Sequence, residues 1–368
     1  MKEETNLQLK RTPLYPLHKK NYAKMVIFFN WEMPIEYEGI LREAKNTRTH
    51  CTLFDVSHMG KIEIKGKKSL KFIQYLTTNN IERIKAFSLQ YNLFINEEAT
   101  IIDDFMIYKL EDGFLCVVNA SNKDKVFRWL NSNKIDGVEI EDKSDDMALL
   151  SLQGPHSEAV IKKISSINVK RLKYMHFIYS KIDGVRCIIS RSGYTGEDGF
   201  ELYCSSKDAF NLWELITNGG KEYFLSFGGL GARDILRIEA GYPLYGHEIN
   251  ESINPIEASL RWVVKEREKD FMGREKILKI MNSFLSKKRI GFIMEDKGIA
   301  RQDYCIYSKD KKNIGKVTSG TYSPNLNKFI GMGYIDGSYS DKQVYIEIRK
   351  KLYRAKIESF PFINIRTR

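Results

Sequence analysis

The chain has 368 residues, 42% hydrophobic and 29% charged, which excludes a disordered polypeptide and allows two or three domains, each with its own core. Fifty-nine lysines and arginines against 47 aspartates and glutamates give a formal charge of +12, a field that attracts anions or reflects only a solvated lysine surface. No uncharged apolar run approaches the roughly 18 residues needed to span a bilayer, so no membrane association is expected.

Glu3 and Glu4 stand where a leader would be basic or apolar. The first 20 residues are mixed and expected to be partly loose until Tyr15. The apolar stretch 25–31 reads as a core segment. From 59 to 65 apolar and polar residues alternate, predicting a strand, and 68–76 carries Leu70, Phe72, Ile73 and Leu76 at helical spacing. Strands are predicted over 91–95, 101–110 and 114–119, then a helix over 124–131 with Val126, Phe127 and Leu130 inward. A strand opening at 149–152 stops at Gly154-Pro155, and Pro155 suits the start of a helix over 157–164. Strands at 185–190 and 200–204 flank a glycine-rich loop at 193–199, and a helix over 232–240 ends at Gly241. After Lys287 short β segments punctuated by glycine predict a separate small barrel. The class is α+β with strands dominant, and 57–144 reads as an insertion in a larger first domain.

Five scattered cysteines and six histidines show neither Cys-x-x-Cys nor His-Glu-x-x-His spacing, so no metal is expected and a reducing, cytoplasmic compartment is. His58 and His247 have no nucleophile or carboxylate beside them in sequence and read as structural polar residues. Asp103-Asp104 lies in Ile101-Ile102-Asp103-Asp104-Phe105-Met106-Ile107-Tyr108. Strand alternation points the two carboxylates to opposite faces, so they cannot share one task. A turn with both groups in water is the simpler reading; otherwise one must face a cavity or a buried partner.

In Arg191-Ser192-Gly193-Tyr194-Thr195-Gly196-Glu197-Asp198-Gly199-Phe200-Glu201 the glycines permit positive φ and close backbone approach. Glu197 and Asp198 read as wet turn residues, whereas Glu201 enters an apolar strand. A carboxylate held at a cavity wall accepts two parallel N–H bonds, such as those of a pterin; taken alone, a plain hairpin is favoured. Gly228-Gly229-Leu230-Gly231-Ala232-Arg233-Asp234 leads into a helix without the third glycine or preceding strand of a dinucleotide fingerprint, so that reading is rejected. Its helix N-terminus remains able to hold an anion. Arg233 and Arg237 share a helix face, and each is open to an ion pair with Asp234, Glu239 or a neighbouring segment.

Taken in order, these motifs resemble the glycine cleavage system T-protein (aminomethyltransferase) family. The resemblance is carried by Arg11-Thr12-Pro13-Leu14-Tyr15, Trp31-Glu32-Met33-Pro34, Phe54-Asp55-Val56-Ser57-His58-Met59-Gly60 and Tyr75-Leu76-Thr77-Thr78-Asn79. It continues through Ile101-Ile102-Asp103-Asp104, Val117-Val118-Asn119-Ala120, Leu152-Gln153-Gly154-Pro155 and residues 193–201. Residues 229–234, Glu239-Ala240-Gly241, Leu244-Tyr245-Gly246, Asn254-Pro255, Val317-Thr318-Ser319-Gly320 and Ser323-Pro324 complete it. One such motif is weak; the collinear set is specific.

The resemblance implies a three-domain cloverleaf around a central folate channel. Its parts are an interrupted first domain (1–56 and 145–285, the latter folate-binding), a ferredoxin-like second domain (57–144) and a C-terminal β-barrel (286–368). It implies transfer of the one-carbon unit from the aminomethyl-dihydrolipoyl arm of H-protein to tetrahydrofolate, with release of ammonia. The partners are then lipoylated H-protein and tetrahydrofolate as co-substrate, with no nucleic acid and no metal. By the same resemblance Asp104 is the catalytic carboxylate, Glu201 the pterin carboxylate and Arg233 a folate-site arginine. Met59, Tyr91, Asn119, Tyr194 and Tyr242 line that site, and Arg366 is a terminal folate contact. The chain departs from the family in having Ile27-Phe28-Phe29-Asn30 for Asp-Phe-Gly-Gly and Ala99-Thr100 for a Gly-Gly pair, so both turns are expected to be rebuilt. The alternatives are a sibling folate-dependent demethylase acting on an amine or sulfonium donor, or a non-catalytic folate-binding module. An RNA-binding protein is disfavoured by the absence of an aromatic-basic motif.

Overall fold

The computed structural model describes residues 9–267 and 270–367, which fall into two compact units. The first comprises the described residues up to Met59 together with 143–234 and 366–367; the second comprises 60–142 and 235–365. Among the described residues no helix is long and apolar enough to cross a membrane.

The first unit is built on a six-stranded sheet in the order Phe177–Ile182, Val185–Ser190, Gly199–Ser205, Met147–Gln153, Cys51–Asp55, Leu225–Gly228. Its neighbours run antiparallel except the last pair, which is parallel. Cys51–Asp55 is buried along its whole length, and helices Ser157–Ile164 and Ala209–Gly220 add Val160, Ile161, Leu212, Trp213 and Ile216 to the same core. Ser157–Ile164 begins where Pro155 predicted it would. The chain enters this unit earlier than expected: Thr12 and Leu14 are already buried, because Thr12 donates its hydroxyl to Asp55 at 2.6 Å. The same oxygen accepts from His18 Nε2 at 2.8 Å, and the Ser57 amide reaches the other at 2.9 Å. Burial alone would raise Asp55; His18, Thr12 and Ser57 outweigh it and bring the carboxyl down to about 2. Residues 1–8 lie outside the described part.

The stretch 25–31, expected in the core, is instead a surface hairpin. Lys24–Phe28 pairs with Trp31–Glu36, with Ile27 at 65% and Phe29 at 58% exposure. Phe28 pairs with Trp31, so Phe29 and Asn30 form a two-residue turn, and Phe29 takes φ +55°. Such turns place a left-handed residue first, normally glycine.

In the second unit a five-stranded antiparallel sheet runs Leu89–Ile95, Ile101–Lys109, Gly113–Val118, Gly60–Lys65, Glu139–Asp142. Helices Ser69–Leu76 and Lys123–Ser132 cover one face with Phe72, Ile73, Leu76, Val126 and Leu130, while Leu70 stays 37% exposed. This is the expected ferredoxin-like layering. The barrel closes in the order Lys287–Met294, Lys328–Asp336, Asn313–Ser323, Cys305–Tyr307, Gln343–Ile348, Lys351–Glu358. Its interior holds Phe292, Met294, Ile306, Val317, Val344 and Ile346. Between sheet and barrel, Leu93, Ile95, Ala99 and Ile101 share a cluster with Ile253, Leu260, Val263, Phe271 and Tyr334.

At both turns that lack the family's glycines a non-glycine residue takes positive φ, Phe29 at +55° and Ala99 at +62°. Ala99 keeps φ +62° in a turn closed by its amide on the Asn96 carbonyl at 2.9 Å and by the Thr100 amide on Asn96 Oδ1 at 2.9 Å. An L-residue pays roughly 1–2 kcal/mol for the left-handed conformation. Phe29→Gly should therefore stabilise the protein by about 0.5–1 kcal/mol after glycine's own entropy cost. Ala99→Gly should gain less, since it gives up a buried methyl worth about 0.8 kcal/mol. Urea midpoints read both: a lower midpoint for Phe29→Gly contradicts the strain. A second expectation concerns acid. A depressed folded-state pKa means that the Asp55 network stabilises above the ordinary aspartate value of about 3.9 and is lost as pH falls toward 2. Thr12→Val, which removes one donor, should move acid unfolding to higher pH; an unmoved midpoint excludes the network as a stabiliser.

Candidate active site

Ile101–Lys109 is the strand that carries Asp103 and Asp104. Flanked by Leu89–Ile95 and Gly113–Val118, it is buried on both faces, so the reading of two wet carboxylates fails. The alternation expected of a strand holds: Asp103 bonds toward the start of helix Lys123–Ser132, and Asp104 toward Tyr91. Asn122 Nδ2 donates to Asp103 Oδ1 at 2.7 Å, and the Asn119 amide to Asp103 Oδ2 at 3.2 Å. Tyr91 donates its hydroxyl to Asp104 Oδ2 at 2.9 Å, and its ring stacks on Trp262 at 5.6 Å.

Independence of the two carboxylates does not hold. Asn119, one residue past Gly113–Val118, lies across from Asp104 and places Nδ2 2.8 Å from both Asp103 Oδ1 and Asp104 Oδ1. One amide nitrogen thus donates to two buried carboxyls. Burial pushes both pKa values up. Asp103 is raised further, being more deeply buried and repelled by Asp104, whereas Tyr91, Asn119 and the charge of Arg289 hold Asp104 nearer to ionisation.

The first unit assembles a different group. Strands Val185–Ser190 and Gly199–Ser205 pair through Ser190 opposite Glu201, and the glycine loop joins them. Gln153 is its strut, donating to the Ser192 carbonyl at 3.0 Å and accepting from Thr195 Oγ1 at 2.8 Å. A Cβ on Gly193 would fall 2.0 Å from Gln153 Oε1 and one on Gly199 2.5 Å from its Nε2, so both glycines answer close approach. Only Gly196, at φ +76°, answers left-handed backbone. Ser192 donates to Glu201 Oε2 at 2.7 Å. Arg233 lies over the Tyr194 ring at 4.9 Å. Burial lowers its pKa while Glu201 and Tyr194 pull it back, so the guanidinium stays charged. Its Nη1 is buried without a hydrogen-bond partner.

Glu197 and Asp198 are buried, not wet. Asp198 receives Arg191 Nε at 2.8 Å. Glu197 meets Arg48 Nη1 at 3.2 Å and Arg366 Nη2 at 2.8 Å; burial raises its pKa against both cations. Arg366 also donates its amide to the Gly196 carbonyl at 2.8 Å, which puts this terminal residue on the same loop. Met59 stands in a turn closed by its amide on Val56, and Tyr242 follows Gly241 with its amide on the Arg237 carbonyl at 2.9 Å. Asp104, Tyr91 and Asn119 therefore form one cluster, and Tyr194, Glu201 and Arg233 another. Arg237 belongs to neither: it pairs with Glu248 at 2.6 Å and donates to Ser319 at 2.8 Å.

A strand, Leu225–Gly228, does precede the 228–234 turn, contrary to the sequence reading. The anion at the following helix start is the protein's own: Glu43 Oε2 accepts the Gly229 amide at 2.9 Å. A Cβ on Gly229 would meet the Ile35 carbonyl oxygen at 2.2 Å, so this glycine answers close backbone approach. Asn122, Ser192, Gln153 and Glu43 escaped the sequence reading. Asn122 could have been found as the residue before a helix, three beyond Asn119; the others are joined to their partners only by folding.

An infrared titration tests the carboxyl pair. A protonated carboxyl band should persist above the ordinary aspartate range and lose intensity in Asp103→Asn. Its loss at ordinary aspartate pH in the wild-type chain would mean that water reaches the pair.

Residues 14–268 match the GCVT N-terminal domain family, and residues 287–364 the glycine cleavage T-protein C-terminal barrel domain. An aminomethyltransferase of Desulforamulus reducens is 42% identical over 358 residues, spanning 96% of this chain and 98% of the relative. One of Thermoanaerobacter sp. is 43% identical over 359 residues, with 96% and 97% covered. The crystal structure of glycine cleavage system aminomethyltransferase T from Bartonella henselae superimposes with a TM-score of 0.91 at 33% identity, covering 98% of this chain and 99% of that one.

Proposed function

The chain belongs to the glycine cleavage T-protein family, and on that premise we propose that it transfers the aminomethyl carbon from the dihydrolipoyl arm of H-protein to tetrahydrofolate. The observation that carries this reading is Asp104, a buried carboxylate hydrogen-bonded by neutral groups alone, the Tyr91 hydroxyl and the Asn119 amide.

In the transfer the carbon–sulfur bond and the bond from carbon to the departing ammonia break, and two bonds form to folate nitrogens. The two protons those nitrogens lose end on ammonia and on the lipoyl sulfur. The moving carbon passes through iminium-like, cationic character. A fixed carboxylate in a dry setting stabilises such a charge more than water does, because its donors are already oriented. Tyr91 and Asn119 keep Asp104 charged and in place. Asp104 also serves as acceptor for a proton leaving a folate nitrogen. Asp103 acts through Asn119, whose amide it holds.

Glu201 takes the pterin by accepting its ring N–H and amino hydrogens in parallel. Arg233, with a buried donor lacking an acceptor, binds an oxygen of the same co-substrate. Arg366 offers a cation for a folate carboxylate, and Met59, Asn119, Tyr91, Tyr194 and Tyr242 complete the lining. The +12 charge suits glutamyl carboxylates and an acidic carrier protein. Neither substrate brings a metal, and a cytoplasmic setting agrees with five free cysteines.

The test is turnover with tetrahydrofolate and aminomethylated H-protein, beside amine and sulfonium methyl donors. Asp104→Asn should cut turnover by about 10²–10⁴-fold with folate affinity nearly intact. Glu201→Ala should weaken tetrahydrofolate binding by about 1.5–3 kcal/mol. Turnover with a methyl donor but not with H-protein would transfer the reading to a demethylase. Folate binding without any turnover would leave a binding module.

A further inference from the structure

Arg233 attracts Glu201 electrostatically, and Arg233 Nη1 is buried without a hydrogen-bond partner. Two hydroxyls, one from the last residue of Val185–Ser190 and one from the loop after it, stand on the Glu201 carboxylate in series. Ser192 Oγ lies 2.7 Å from Glu201 Oε2, and Ser190 Oγ lies 2.9 Å from Ser192 Oγ. All three residues are buried.

Proton inventory orients the chain. A carboxylate only accepts, so the single Ser192 proton goes to Glu201. Ser190 Oγ also lies 3.3 Å from the Glu201 carbonyl, and where it donates to Ser192 its bond polarises the one from Ser192 to the carboxylate. The backbone at position 192 is fixed separately, through Gln153 Nε2 on its carbonyl at 3.0 Å, so removing the hydroxyl leaves the loop strut in place.

We propose that Ser192, backed by Ser190, is a positioning residue that fixes the plane in which the Glu201 carboxylate meets a ligand. That plane selects rings bearing two parallel N–H donors, as a 2-amino-4-oxopyrimidine does. The inference rests on the folate reading of Glu201.

Calorimetry of the full chain with tetrahydrofolate tests it. Ser192→Ala should bind about tenfold more weakly, the usual loss for a hydrogen bond to a charged group. Ser192→Thr, which keeps the hydroxyl, should bind within about twofold of wild type. In turnover, Ser192→Ala should raise the KM for tetrahydrofolate by the same factor and leave kcat unchanged. Ser190→Ala should weaken binding in the same direction by about two- to threefold, and it keeps the question open to measurement should Ser192→Ala fold poorly. In a Glu201→Ala background, Ser192→Ala should cause no further loss. Unchanged affinity in Ser192→Ala and Ser190→Ala, with Glu201→Ala weakened, overturns the positioning role and leaves the folate site standing. A full additional loss in the Glu201→Ala background also overturns it. Unchanged affinity in Glu201→Ala itself would instead remove Glu201 from the site.

Discussion

Two carboxyls buried on adjacent residues of one strand are tolerable only if something holds them both, and here that is the side-chain amide of Asn119. Stripped of water, each acid would take up a proton, and both would be useless as fixed charges. The bridging amide, with Asn122 on one side and Tyr91 on the other, gives both carboxyls fixed donors in place of water. The central strand, the helix that Asn122 immediately precedes and the tyrosine on the neighbouring strand are placed by ordinary packing. The sharing of one amide between two buried carboxyls is what that packing achieves.

Much of this was legible in the sequence. Helix Ser157–Ile164 follows from Pro155, the strands of the second unit from alternation, and the barrel from its glycine-punctuated segments. The failures share a cause. Glu197 and Asp198 look like turn residues because their partners Arg48, Arg366 and Arg191 are invisible from local polarity. Residues 25–31 look like core because apolarity does not say which side of a hairpin a protein covers. Local patterns report what a segment can bury, and long-range pairing decides what it does bury.

Glycine shows the same division. The loop at 193–199 has the composition of a flexible turn, yet Gly193 and Gly199 are there because Gln153 occupies the space of a side chain. Phe29 and Ala99, conversely, adopt left-handed backbone without glycine. Residue type predicts conformational permission, and neighbours determine whether it is used.

Glu43 carries a wider consequence. Its carboxylate accepts the Gly229 amide with one oxygen and the Tyr37 and Glu38 amides with the other, so the electropositive end of the helix is permanently neutralised from within. A glycine-rich strand-to-helix turn is the place where many unrelated proteins receive nucleotides, and this one is closed to them by a covalently attached competitor. Charge recognition in the first unit therefore passes to side chains, which offer angles and reach that a backbone nest cannot.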